Sequence, residues 1–307
     1  MKKIGILFQI ANFSVWEKMK NIIDNFDFKV ILLIHFNTDL ISKDYQNKII
    51  SFYQNKDINP IITTYVNKGM DICGFFNQIE YIINNNIDLD YILKIHTKSN
   101  DTWRDHLIDP ICGTKENVKK CLDILDNDED IGYICCKRWY RLMDHFNTPI
   151  ILEELKKFNI ENTFIDEINW HQKYENLYDL DYFDPNFYLE YPYNSIYRDP
   201  NIEKDKEKLK SYALFHWLQI GYKEFRLVHN KNLISKKNKH IKFCAGSIFW
   251  IKADIIVSFF KNNINFNYYY DKFEKGYFKN DKPTLTHTWE RFFSIIIENL
   301  RKKTIVL

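Results

Sequence analysis

Lys94, His96, Lys98 and Arg104 all fall within DYILKIHTKSNDTWR, residues 90–104, a stretch that begins as a buried strand. Tyr91, Leu93 and Ile95 alternate with Ile92, Lys94 and His96, so a period of two puts Lys94 and His96 on one face. Thr97 and Lys98 follow at the carboxyl end, with Trp103 and Arg104 close behind. A lysine in a covered strand must reach water along its stem or meet an anion, because an unpaired buried charge is costly or neutralises. An ion pair with a nearby aspartate would satisfy one such lysine. The gathering of Lys94, His96, Thr97, Lys98 and Arg104 at one strand end points instead to an anion site.

Acid–base chemistry has a candidate in HTWERFF, residues 287–293. Read as a helix start capped by Thr288, it places Glu290 in the first turn, where the macrodipole favours a carboxylate whatever its role. His287 and Arg291 flank Glu290 at helical spacing, so one exposed edge is expected to carry acid, base and cation together. VNKGMD, residues 66–71, sets Gly69 between Asn67 and Asp71 at another strand end; a plain turn would use the same residues. FCAGSIFW, residues 243–250, has Ala245, Gly246 and Ser247 where a strand carries bulk. Close approach of a ligand and tight strand crossing explain it equally well.

The elements that must position these residues alternate. KKIGILFQI is a strand, SVWEKMKNIIDNF a helix, FKVILLIHFN a strand, SKDYQNKIISFYQ a helix and NPIITTYVN a strand. NKGMDICGFF reads as a turn, followed by a helix over about residues 77–84, the strand at Tyr91–His96, a helix over TKENVKKCLDILDN capped by Thr114, and the strand IGYICCKRW. After residue 240, KHIKFCAGSIFWIKAD is a strand, DIIVSFFKN a helix, and the chain closes on a helix beginning near THTWERFF. Such βαβ units predict an α/β fold with a mostly parallel sheet flanked by helices. Ligands in these sheets bind beyond the carboxyl ends of the strands, where Gln9, Asn37, the Asn67–Asp71 turn and the His96–Lys98 tip all fall.

Residues 141–239 differ from both flanks, being polar, rich in Tyr and Asn, and broken by Pro149, Pro185, Pro192 and Pro200. They read as an inserted, mainly helical or irregular subdomain between the α/β parts 1–140 and 240–307. Within it, the aromatic residues of ALFHWLQIGYKEFR read as one helix face with Gly221 as its C-cap, and core packing accounts for them better than a sugar-stacking platform.

Composition narrows the function classes. With 307 residues, 45% hydrophobic and 17% aromatic, the chain is an ordered globular one. A formal charge of +2 offers no broad cationic field, which disfavours nucleic acid as a partner. Six cysteines without CxxC spacing argue against a zinc ribbon or a disulfide scaffold and read as reduced and buried. The apolar run after Lys2 and Lys3 is short and lacks a small-residue cleavage site, so it reads as a first strand rather than a signal peptide. No apolar stretch has bilayer-spanning length. A cytoplasmic protein is expected, with at most peripheral membrane contact.

Taken in order, VNKGMD, YILKIHTK followed by WR, FCAGSIFW and HTWERFF resemble the rhamnan synthesis protein F family of polysaccharide-assembly glycosyltransferases, over about residues 1–140 and 240–300. FDPNFYLEYP with ALFHWLQIGYKEFR resembles a module that often accompanies such enzymes, although Tyr193 and Phe225 depart from its pattern. The resemblance implies a GT-A-like fold that moves a sugar, rhamnose by the family name, from a nucleotide-sugar to a glycan acceptor. In that fold the strand matching YILKIHTK usually ends in Asp-x-Asp holding a divalent metal. Here His96-Thr97-Lys98 stand in its place, so Mn or Mg dependence does not follow, and the cations are expected to neutralise the diphosphate directly.

By the same resemblance Glu290 is the general base of an inverting displacement, with His287 and Lys98 as further catalytic candidates. The donor-binding candidates are Gln9, Asn37, Asn67, Asp71, Lys94, His96, Thr97, Trp103, Arg104, Gly246 and Ser247, with no metal ligand among them. The competing class is a catalytically silent carbohydrate- or nucleotide-sugar-binding protein. A different nucleotide enzyme is disfavoured, since neither GxGxxG nor GxxxxGK follows the first strand.

Overall fold

The runs with hardly a polar residue are the strands covered on both faces. In the computed structural model, which describes residues 2–142, 147–160, 242–276 and 283–307, β1 (Ile4–Ile10) and β4 (Tyr91–His96) are buried at every position, as parallel strands sandwiched by helices must be. The other strands are β2 (Val30–Asn37), β3 (Ile61–Tyr65), β5 (Ile131–Cys135), β6 (Tyr140–Leu142), β7 (Lys242–Cys244), β8 (Phe249–Lys252) and β9 (Lys303–Val306). A seven-stranded sheet has the order β3-β2-β1-β4-β8-β5-β9, and β6 pairs with β7 separately. Neighbours in the large sheet run parallel except β8, which is antiparallel to both β4 and β5. This is the expected α/β architecture with a mostly parallel sheet.

The helices are α1 (Phe13–Met19), α2 (Lys43–Gln54), α3 (Met70–Asn84), α4 (Asp101–Cys112), α5 (Lys115–Asn127), α6 (Thr148–Lys157), α7 (Ala253–Asn263), α8 (Phe266–Lys272) and α9 (Leu285–Asn299). Polar caps begin several of them: the side chains of Asn12, Ser42, Asn100 and Thr114 each accept a backbone N–H from the first turn. None of the described helices is long and apolar enough to cross a membrane.

Two helix starts differ from expectation. α3 begins at Met70, well before residue 77, because Gly69 takes a left-handed φ of 57° and turns the chain straight into the helix. Gly74, which made the segment look like a turn, sits where a Cβ would lie 2.7 Å from His35 and 2.8 Å from Gln9. It permits close helix–sheet packing. α9 is capped by Thr284, whose hydroxyl accepts from His287 N at 3.1 Å, and not by Thr288, which is fully buried inside the helix. Glu290 therefore lies in the second turn, and the macrodipole alone does not account for it.

An aromatic core fixes α9 against the sheet. Trp289 meets Phe76 of α3 edge-on at 4.7 Å, and Phe293 contacts Phe75 of α3 and Phe249 of β8 at 5.3 and 5.4 Å. Each such pair contributes about 0.5–1.5 kcal/mol beyond the area it buries. The six cysteines are free and buried.

By contact the chain divides into Met1–Arg141 with Lys242–Leu307, and Leu142–Ile241. In the second unit the described part centres on α6, with Ile151 and Leu155 buried. The aromatic stretches of the insertion, including Tyr193, Gly221 and Phe225, lie outside the described residues.

Candidate active site at the carboxyl end of the sheet

Sheet order reverses at β1, with β2 and β3 on one side and β4 on the other. Such a switch point opens a crevice at the carboxyl ends of the strands. Because β8 runs antiparallel and pairs Phe249 with Lys94, the Gly246–Ser247 turn before β8 arrives at this same end. The turn is backbone-strained: Gly246 has φ 97° and Ser247 φ 44°. A left-handed serine costs about 1 kcal/mol and persists only where its surroundings hold it.

What holds it is a closed polar knot. Lys94 Nζ is fully buried and donates to Asp71 Oδ2 at 2.6 Å and to the Ser247 carbonyl at 2.9 Å. Ser247 Oγ donates to the same Asp71 oxygen at 2.5 Å. Burial resists the charge on Asp71, yet His96, Lys94 and the hydrogen bonds from Lys94 and Ser247 hold its carboxyl well below the usual carboxylate range. Burial also drives the His96 imidazole down to about 3 against the pull of Asp71. With His96 neutral at pH 7, Lys94 is the cation that keeps Asp71 ionised. The strand lysine thus meets an aspartate, and its hydrogen-bonding capacity is satisfied inside the protein.

Around the knot, Gln9 lies opposite His96 in the β1–β4 register. Gln9 Nε2 donates to Gln78 Oε1 of α3. Thr97 ties the strand tips together, its N–H donating to the Gln9 carbonyl at 3.0 Å and its hydroxyl accepting from Ala11 N at 2.9 Å. Gln9 Oε1 and His96 Nδ1 are buried with no hydrogen-bond partner among the described residues. Arg104 turns back to its own helix, where its guanidinium meets Asp101 at 2.6 Å and Asp105 at 2.8 Å.

Lys98 is different. It is half-buried, and its described contact is with an aromatic face: Nζ lies 3.4 Å from the centroid of Trp103. Burial lowers its pKa, while Glu290 and Asp71 pull the other way. Glu290, with 17% of its side chain exposed, accepts the Gly246 N–H on Oε1 at 2.5 Å. Arg291 stands 3.4 Å from the other Glu290 oxygen and donates to the His287 carbonyl at 2.7 Å. Arg291 is buried, so the exposed edge of acid, base and cation expected from the sequence does not form. His287 Nδ1 is 2.7 Å from the capping hydroxyl of Thr284.

On the other side of β1, Asn37 at the end of β2 donates to Asn67 Oδ1 at 2.9 Å. The turn after β3 is clipped to the segment before α9: Gly69 N donates to the Glu274 carbonyl, and Gly276 N to the Asn67 carbonyl, each at 2.8 Å. The Glu274 side chain then accepts Leu285 N at 2.6 Å and Thr286 N at 3.2 Å. The first turn of α9 is thereby saturated by the protein itself. Nothing in local sequence pattern marks Glu274. Trp139, which stacks on Trp103 at 4.7 Å, was legible only as the end of a strand stretch.

The residues at the β4 tip do not fit a divalent cation. Asp71 is engaged by Lys94 and Ser247, Glu290 by the Gly246 N–H and Arg291, and no group of three acids, histidines or cysteines among the described residues could hold a metal. No step below passes through one.

Fold and site together define an α/β protein with a cluster of buried polar side chains at the switch point of its sheet. No protein-family model matches the chain, and no curated protein matches it. The family resemblance therefore rests on the motifs quoted above. Among solved structures, the chain is similar to S. aureus TarS 1-349 in complex with UDP, at a TM-score of 0.31 and 14% identity, over 43% of this chain and 34% of that one.

Proposed function

We propose that this protein is a GT-A-like glycosyltransferase that moves a sugar from a nucleotide-sugar to a glycan acceptor. The observation that carries the reading is an oriented carboxylate acting on a cation that makes no ion pair or hydrogen bond among the described residues. Gly246 N–H aims Glu290, and Lys98 stands under the influence of that same acid at the strand-end crevice. In the proposed step an acceptor hydroxyl attacks the anomeric carbon and Glu290 takes its proton. The bond from that carbon to the diphosphate oxygen breaks, and the diphosphate leaves with the electron pair, stabilised by Lys98. A single displacement of this kind inverts the anomeric centre. In this reading Asn37, Asn67 and the polar atoms of Gln9 and His96 serve the nucleoside, while the small Gly246–Ser247 turn serves close packing against Trp103 and Leu107 rather than space for the sugar. Rhamnose is supported by the family name alone.

The test is a panel of dTDP-, UDP- and GDP-sugars, followed by thermal shift and by turnover, on wild type and Glu290→Gln. One nucleotide class stabilises the wild type and is turned over; Glu290→Gln keeps the shift and loses about 10²–10⁴-fold in rate. Full activity in the variant removes Glu290 as base. Binding without turnover in the wild type makes the protein a silent nucleotide-sugar binder.

A further inference from the structure

Lys98 poses a problem that Lys94 and Arg104 do not. A cation withdrawn from water needs compensation. Lys94 obtains it from Asp71, and Arg104 from Asp101 and Asp105. In each case the compensating carboxylate also occupies the donors. Among the described residues Lys98 makes no hydrogen bond or ion pair, yet it is half-buried, and Glu290 and Asp71 favour its charge only from beyond ion-pair distance. Its ammonium rests on Trp103 at 3.4 Å, Trp103 stacks on Trp139 at 4.7 Å and 30°, and the Arg141 guanidinium lies over Trp139 at 4.0 Å.

We propose that Trp103, backed by Trp139, is a positioning residue for Lys98: its ring compensates the ammonium without occupying the N–H donors, which leaves the cation available to the diphosphate of a bound ligand. This rests on the nucleotide-sugar reading above for its ligand, but not for its physics. An aromatic face attracts a cation through its quadrupole and accepts no conventional hydrogen bond, so the charge is stabilised while its donors stay open. The platform is anchored at both ends. Asn100 caps α4 by accepting Trp103 N at 2.8 Å, and Trp139 ends the tight turn Lys137–Trp139 that follows β5. Gly246 completes the fit: a Cβ there would lie 3.2 Å from Trp103 Nε1 and 2.7 Å from Leu107. The left-handed glycine that aims Glu290 is thus the residue that lets the indole come close. Trp103 acts through Lys98 rather than by touching the donor.

Titration of Lys98 by NMR tests this, in protein carrying ¹³C-labelled lysine with the resonance assigned by its loss in Lys98→Arg. Trp103→Leu keeps apolar cover and removes the π face, so Lys98 titrates at lower pH than in wild type; Trp103→Phe restores part of the difference. Trp139→Leu shifts it in the same direction by less. Pyrophosphate binding, followed by calorimetry near neutral pH, weakens about tenfold in Trp103→Leu and recovers in Trp103→Phe. Unchanged Lys98 titration in the leucine variants overturns the proposal. If a leucine variant does not fold, the phenylalanine variants decide: their smaller face gives an intermediate shift, and no shift overturns the idea. A wild type that ignores pyrophosphate defeats the nucleotide-sugar reading, and the titration alone then decides the role of the tryptophans.

Discussion

The knot around Asp71 and the edge around Lys98 sit at the same end of the sheet and draw on the same residue types. In the knot, Lys94 is buried, its charge is matched, and strand, helix start and strained turn are bound to one carboxylate oxygen. At the edge, Lys98 has an aromatic face where Lys94 has a carboxylate, and Glu290 is held by the Gly246 N–H and by its neighbour Arg291 at 3.4 Å rather than by a lysine. A cluster of cations in a sequence is therefore not one site. It divides into charges that hold the architecture and a charge left open by it, and the division depends on which acid arrives at which lysine.

The sharpest way to break this comparison is to exchange stability for function on each side. Lys94→Met strands Asp71 in the interior and is expected to destabilise the fold by about 3–5 kcal/mol in urea denaturation, with much of the loss recovered in Lys94→Met/Asp71→Leu. A cost below about 1 kcal/mol would show that the knot is not structural.

Acid sharpens the same side. Burial lowers His35 to about 4, opposed by Asn77, and lowers His96 to about 3. Both stay neutral in the folded chain while the unfolded chain takes up protons from 6.5 downward. Their stability contribution is complete above that pH and is lost as pH falls toward the folded values, at up to about 1.4 kcal/mol per pH unit for each histidine. Urea midpoints measured across this window decline for the wild type, and His35→Phe flattens the slope. An unchanged slope would mean that His35 is not kept neutral by burial.

Glu274→Ala removes the carboxylate that accepts two N–H groups of the first turn of α9. It is expected to cost about 1 kcal/mol and to lower turnover more than donor affinity, since Glu290 rides on that helix. The smallest stability effect belongs to the open edge: Lys98→Met changes the fold by about 0.5 kcal/mol or less while abolishing pyrophosphate binding. A large loss of stability in Lys98→Met would erase the distinction between the two regions.

Much of the scaffold was legible because it follows from periodicity. β1, β2 and β4 declare themselves as apolar runs, and the alternation in β4 puts Lys94 and His96 on one face, as found. The start of α3 was hidden because Gly69 and Gly74 resemble turn residues, while Gly74 is needed for close packing on His35 and Gln9. The cap of α9 was misplaced at Thr288 since Thr284 and Thr288 offer the same hydroxyl one helical turn apart; both are buried, and only the backbone tells them apart, extended at Thr284 and already helical at Thr288, whose N–H donates to the Thr284 carbonyl. Arg104 looked like part of the anion cluster until its pairing with Asp101 and Asp105 on the same helix was visible.

The sequence by itself determined the α/β class, the strand ends at which polar residues gather, and the residue types available for chemistry there, because these depend on local pattern and on the rule that unpaired charge avoids apolar surroundings. Only the tertiary structure decided that Asp71 belongs to Lys94, that Gly246 aims Glu290, and that Lys98 rests on Trp103, itself stacked on Trp139. Those partners lie far apart in the chain or compete at equal sequence distance, and a charge chooses among them by proximity and desolvation once the sheet has closed.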